Sequence, residues 1–194
     1  SLRLRGANFE FLDNLGSRSG NSEFIFLSPK ITFTKNHLFL DDFILFKITA
    51  LNDRRAKMPG EFNYSWGVEA GRANLTTSCY PCNVAKISGR LGKSFLITAA
   101  STFFNTINFN AHESVRSSGS TSYSYRAGII SRPSKHINIY AEYENIFFQS
   151  NQTFNEEITK IKVRYNFANS LSFNLGFSRG KYLDETLLEI NKYF

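Results

Sequence analysis

The chain has 194 residues, a formal net charge of +7, and 20 Phe and 9 Tyr against a single Trp. Its mean hydropathy is −0.27 and it contains no apolar run of about 18 residues, which excludes a helical membrane span but not a barrel, whose strands show lipid only every second residue. Lys and Arg are scattered at strand spacing, with one local cluster from Asp53 to Lys57 and no recognition motif, so nucleic acid is not an expected partner.

Leu2 to Leu12 reads as a first strand whose alternation slips at Gly6, as a bulge would make it. Asp13 to Asn21 is a turn by composition. Glu23 to Thr34 is a second strand, broken at Pro29, and Leu38 to Leu51 a third that carries an unusual Asp41–Asp42 pair. A charged loop leads to Phe62–Ala70, which alternates Phe62, Tyr64, Trp66, Val68 and Ala70 with small or polar residues. Shorter strands follow at Ala85–Leu91, Ser94–Ser101, Ile107–Ser114 and Tyr123–Ile130, with a Ser/Gly-rich external loop at Ser117–Ser122.

The clearest pattern is C-terminal. Four alternating segments run from His136 to Phe194: His136–Phe147, Phe154–Phe167, Ser170–Gly180 and Asp184–Phe194. In the second, Ile161, Val163, Tyr165 and Phe167 oppose Lys160, Lys162, Arg164 and Asn166. Charges on one face and aromatics on the other imply two solvents, a polar interior and a lipid exterior. The tally is about twelve strands joined as hairpins. The expected fold is all-β: an antiparallel, up-and-down, outer-membrane-type β-barrel, closed, with both chain ends on one side. Residues 1–194 form one domain. With no signal peptide at Ser1, the chain reads as the C-terminal part of a longer envelope protein.

Three stretches carry a resemblance: Leu2 to Gly20, Tyr64 to Arg72, and Cys79-Tyr80-Pro81-Cys82 ahead of a Gly-containing strand. Together they resemble the C-terminal β-rich region of the Lnb N-terminal periplasmic domain family, bacterial envelope proteins of poorly defined function. Asn8-Phe9-Glu10-Phe11-Leu12-Asp13 stands where that family often carries a His-Asp run. The resemblance implies an envelope location and a barrel-like C-terminal domain; it does not imply activity in this chain. Phe194, a terminal aromatic after alternating apolar residues, resembles the signal read by the barrel-assembly machinery, with Lys192 as an exception to it.

Several groups of residues are candidates for chemistry. Cys79 and Cys82 form the CxxC of a redox dithiol, half a zinc site or a small disulfide; the lack of nearby ligands and of a βαβ setting favours a loop-stapling disulfide in an oxidising envelope. His112 and Ser114 share a strand face, as do the catalytic His and Ser of outer-membrane phospholipase A, which they resemble, with Asn108 or Asn110 to orient the imidazole; Val115-Arg116-Ser117 stands where that family has Ser-Asn-Gly. Glu69, Lys86, Arg90, Arg126, Glu142, Glu144, Lys160, Lys162 and Arg164 are the expected polar lumen, as a basic pore lining or as internal ion pairs filling a narrow barrel. No metal site and no cofactor is expected.

The expected function is an outer-membrane barrel serving as membrane anchor, channel or assembly component. Its partners would be outer-membrane lipid or lipopolysaccharide and a periplasmic domain or envelope protein. The alternatives are a barrel-embedded lipid hydrolase using His112 and Ser114, and a soluble periplasmic β-domain packed on its parent's other domain. Enzymatic activity is the less favoured reading.

Overall fold

The computed structural model describes residues 2–3, 7–9, 21–33, 38–51, 64–74, 83–113, 120–149, 154–168, 171–181 and 184–192. Twelve strand segments make one sheet: β1 (Leu2–Arg3), β2 (Ala7–Phe9), β3 (Ser22–Phe33), β4 (Leu38–Leu51), β5 (Tyr64–Asn74), β6 (Asn83–Thr98), β7 (Ser101–His112), β8 (Thr121–Ser131), β9 (Ile137–Phe148), β10 (Phe154–Ala168), β11 (Leu171–Gly180) and β12 (Asp184–Lys192). Every strand pairing among the described residues is antiparallel, and β3 to β12 follow one another in chain order. These ten long strands form an up-and-down half-barrel, and no helix occurs among the described residues.

The strand count departs from the expected twelve crossings. It does not do so at the N-terminus: β1 and β2 both pair with β3 in a single register (Leu2↔Ile31, Ala7↔Phe26), so they occupy one strand position, as the reading of Leu2–Leu12 as one strand expects. The difference is β6, which the sequence divides in two at Gly92-Lys93 but which runs through to a two-residue turn at Ala99-Ala100. Among the described residues the sheet therefore has eleven strand positions. The N-terminal strand and β12 point the same way, and among the described residues no backbone pairing joins them. An ion pair between Lys30 on β3 and Glu185 on β12, 2.6 Å long, spans the opening.

Gly92 explains the misread strand. A Cβ built there would lie 2.6 Å from the Thr106 Cα, so only glycine lets β6 and β7 approach this closely. Gly92→Ala is expected to cost roughly 1–3 kcal/mol through forced separation of the two backbones. An unchanged denaturation midpoint would show that the strands do not meet this way.

Pro29 itself is paired, with Phe43; the irregularities flank it. Leu27 has φ 51°, and across it the buried positions change from Glu23 and Ile25 to Ser28. The β4–β5 register shifts beside it, between Ile44 and Phe46, and the β3–β4 register shifts at Asp42/Leu40. A kink thus crosses both strands and swaps which side chains face inward. Gly6, where the sequence places a bulge, lies outside the described residues.

Burial is inverted relative to a soluble β-domain. The concave face buries Ser65, Ser94, Thr102, Ser124, Glu156, Arg164 and Asn174. The convex face exposes Trp66, Ile87, Leu91, Ile107, Phe109, Tyr125, Val163 and Leu175. The exposed apolar band also runs obliquely to the ladder. One row passes Val68–Gly89–Phe109–Tyr123–Phe147–Asn155 from β5 to β10. It begins in apolar surface and ends in polar surface. On β5 the outer face stays apolar until Arg72, beyond Val68; on β10 it stays polar through Glu157 and Thr159 and turns apolar only at Ile161. The boundary thus moves about eight residues, roughly 26 Å, over five strand spacings of roughly 24 Å in total, a slope of about 45°.

Candidate functional site

Period-two alternation places Glu69, Lys86, Arg90, Arg126, Glu142, Glu144 and Lys160 on the concave face, where they gather into two clusters. In the first, Glu69 receives Lys86 at 2.8 Å and Arg90 at 3.1 Å, and Lys47 pairs with Glu23 at 2.8 Å. In the second, Glu142 is bound by Arg126 and by the Tyr140 hydroxyl, with Lys160 at 3.5 Å. Glu144 lies 3.9 Å from Arg126 and 3.8 Å from Lys160, and accepts a hydrogen bond of 2.7 Å from Ser124. Asn108 donates to Ser124 at 3.0 Å and to Glu144 at 3.4 Å, extending this cluster onto β7. Arg164 donates through Nε to Asn174 at 2.6 Å, fully buried.

The nine charged residues singled out from the sequence all lie on strands, and the structure brings most of them into these two networks. Sequence reasoning missed Glu23, Lys30, Lys47, Glu156 and Glu185. Glu23–Lys47 and Lys30–Glu185 pair between strands whose inward faces could not be phased from alternation across the kink. With them included, further cations find local carboxylate partners, Lys47 at Glu23 and Lys30 at Glu185, as a low-dielectric interior requires, and cations still outnumber carboxylates.

One rim of the concave face is filled. Leu51, Phe104 and Ile130 form a buried apolar cluster, with Tyr140 stacked on Phe104 at 6.0 Å. Asn21 ties this end together: its carbonyl accepts from the Leu51 amide at 3.0 Å, its Nδ2 donates to Thr102 at 2.8 Å, and its Oδ1 accepts from Arg132 at 2.5 Å. Asn21 has φ 55°, a left-handed conformation that asparagine tolerates better than most residues.

His112 sits on the concave face near the opposite rim, 7% exposed and edge-on to Phe148. Its Nδ1 is 3.0 Å from the Glu113 carbonyl, and Nε2 has no hydrogen-bond partner among the described residues. Asn110 donates to Ser122 rather than to the imidazole. Ser114, Cys79 and Cys82 lie outside the described residues, as does Phe194. Among the described residues no group of three or more His, Cys, Asp or Glu is placed to hold a metal ion.

The structure defines a class: an all-β, antiparallel, up-and-down half-barrel with an ion-paired concave face and an apolar convex one. The chain belongs to the family described as Domain of unknown function (DUF7840), whose model matches residues 1–193. No curated protein matches the sequence.

Proposed function

We propose that this domain is a membrane-embedded β-domain of the bacterial outer membrane, acting as anchor or assembly component of a larger envelope protein. The observation that supports it most is the oblique apolar band. Strands of outer-membrane barrels tilt about 35–45° from the membrane normal, so a lipid belt must cross their ladders at such an angle. The slope of about 45° read from register and exposure matches that requirement, and a surface packed on a protein partner has no reason to follow it. The inverted burial supports the same reading, and so does the resemblance to envelope proteins.

The anchor is favoured over an open channel by the interior. Two charge clusters and the Leu51–Phe104–Ile130 plug occupy the space that a conducting pore leaves to water. In this reading the half-barrel closes in the membrane. Because the N-terminal strand and β12 run parallel, closure takes a parallel seam between them or a further strand, where an even-stranded barrel would close antiparallel.

Heat-modifiability tests the proposal. The protein is expected to resist carbonate extraction and to migrate faster on SDS gels when unboiled. Release by carbonate with a single mobility would sink it, and would favour packing of the convex face on a protein.

A further inference from the structure

The concave face is polar along most of its length, but near the opening, where β3 and β12 side chains reach toward each other, it changes character. A cavity of about 300 Å³ lies there, reached by Lys30, Lys47, Lys160 and Lys162. Apolar residues line the same space, among them the inward-facing Ile25, Ile44 and Leu187. Ile25 and Ile44 are 4% and 7% exposed. Ile44 faces inward because the register shift beside it re-phases β4.

The lysines are not equivalent. Lys30 and Lys47 are held against the wall by Glu185 and Glu23, at 2.6 and 2.8 Å. Lys160 stands farther from its carboxylates, 3.5 Å from Glu142 and 3.8 Å from Glu144, both shared with Arg126, and its side chain is 43% exposed. It can turn toward a ligand at small cost. The register then sets Lys162 opposite Gly176, and Gly176 opposite Leu187. One row across three strands thus reads cation, bare backbone, apolar side chain. The missing side chain at Gly176 leaves room between an ammonium and a greasy wall.

We propose that this cavity binds a small anionic amphiphile: a carboxylate or phosphate head at Lys160 and Lys162, and a short apolar tail along Ile25, Ile44 and Leu187. The volume is at the lower end of small-molecule sites and accommodates a chain on the order of ten carbons. The inference stands apart from the membrane reading, because the cavity is on the concave side whatever medium meets the convex one.

The test uses the full chain in neutral maltoside micelles. Decanoate carrying a ¹³C carboxyl is titrated by NMR, with decyl phosphate followed by ³¹P and ¹³C-labelled decanol as the uncharged comparison. A saturable one-to-one signal is expected for an anionic ligand, with decanol roughly tenfold weaker or more, the loss of one charge-assisted contact. Lys160→Gln with Lys162→Gln weakens binding by a similar factor. Gly176→Leu abolishes it by filling the cavity: a Cβ there meets only ordinary contact, 3.5 Å from the Leu187 Cβ, so the variant is expected to fold. Tighter decanoate points to a free fatty acid as the natural occupant; tighter decyl phosphate points to a lipid headgroup. Absence of saturation, equal binding of decanol, or binding unchanged in variants whose circular dichroism shows intact β-structure would each overturn the proposal.

Discussion

Leu175→Arg is expected to prevent folding into lipid vesicles, at a cost of about 2–4 kcal/mol. Leu175 is 48% exposed on the convex face, within the apolar band. Its register neighbours are Val163 on β10 and Leu188 on β12, and Val163 in turn pairs with Ile139 on β9. An outer row of four strands is therefore aliphatic throughout, as the midplane of a lipid belt must be. Thr159→Arg supplies the comparison. Thr159 lies on the same convex face of β10 but at the polar boundary, where an added arginine costs only about 0–1 kcal/mol. The measurement is the folded fraction in vesicles across a urea series, read as the unboiled gel band. Equal tolerance of the two substitutions would mean that water bathes both positions, and the membrane reading would fail.

The second large effect belongs to Glu142. Its carboxylate is almost fully buried and serves Arg126, Lys160 and the Tyr140 hydroxyl at once. Glu142→Leu leaves the Arg126 guanidinium buried beside Glu144 alone, with Lys160 competing for the same carboxylate. The expected destabilisation is about 3–5 kcal/mol, the cost of stranding a buried charge. Adding Arg126→Met should recover part of this loss, because Lys160 and Glu144 then remain as a pair. Unfolding midpoints of the two single variants and the double variant check it. If Glu142→Leu leaves the midpoint unchanged, the cluster is bathed in water and contributes little, and the filled interior that favours an anchor over a channel loses its support.

How much of this was legible beforehand differs by strand. On β10 the alternation of Ile161, Val163, Tyr165 and Phe167 with Lys160, Lys162, Arg164 and Asn166 fixed which side chains share a face, because a period of two is local. It did not fix the strand count. Gly92-Lys93 looks like a break, and only the facing Thr106 shows that the glycine serves close packing instead. Nor could alternation cross Leu27, where one left-handed residue reverses the faces of β3. Past such a point the parity is set by pairing with a neighbouring strand, which the local sequence does not contain. This is why the amphipathic cavity was invisible: Lys30 and Glu185 are separated by 155 residues, and Ile44 points inward only because of a shift in register. His112 was legible as a face residue, but whether Ser114 meets it lies outside the described residues.

The eleven strand positions carry one more implication. A chain that crosses a sheet an odd number of times enters at one rim and leaves at the other, so Leu2 and Lys192 lie at opposite rims. In a bilayer such a domain is a covalent feedthrough. On the membrane reading, Leu2 and Lys192 would face opposite sides, and a pull between them would load the two edge ladders, the N-terminal strand on β3 and β12 on β11.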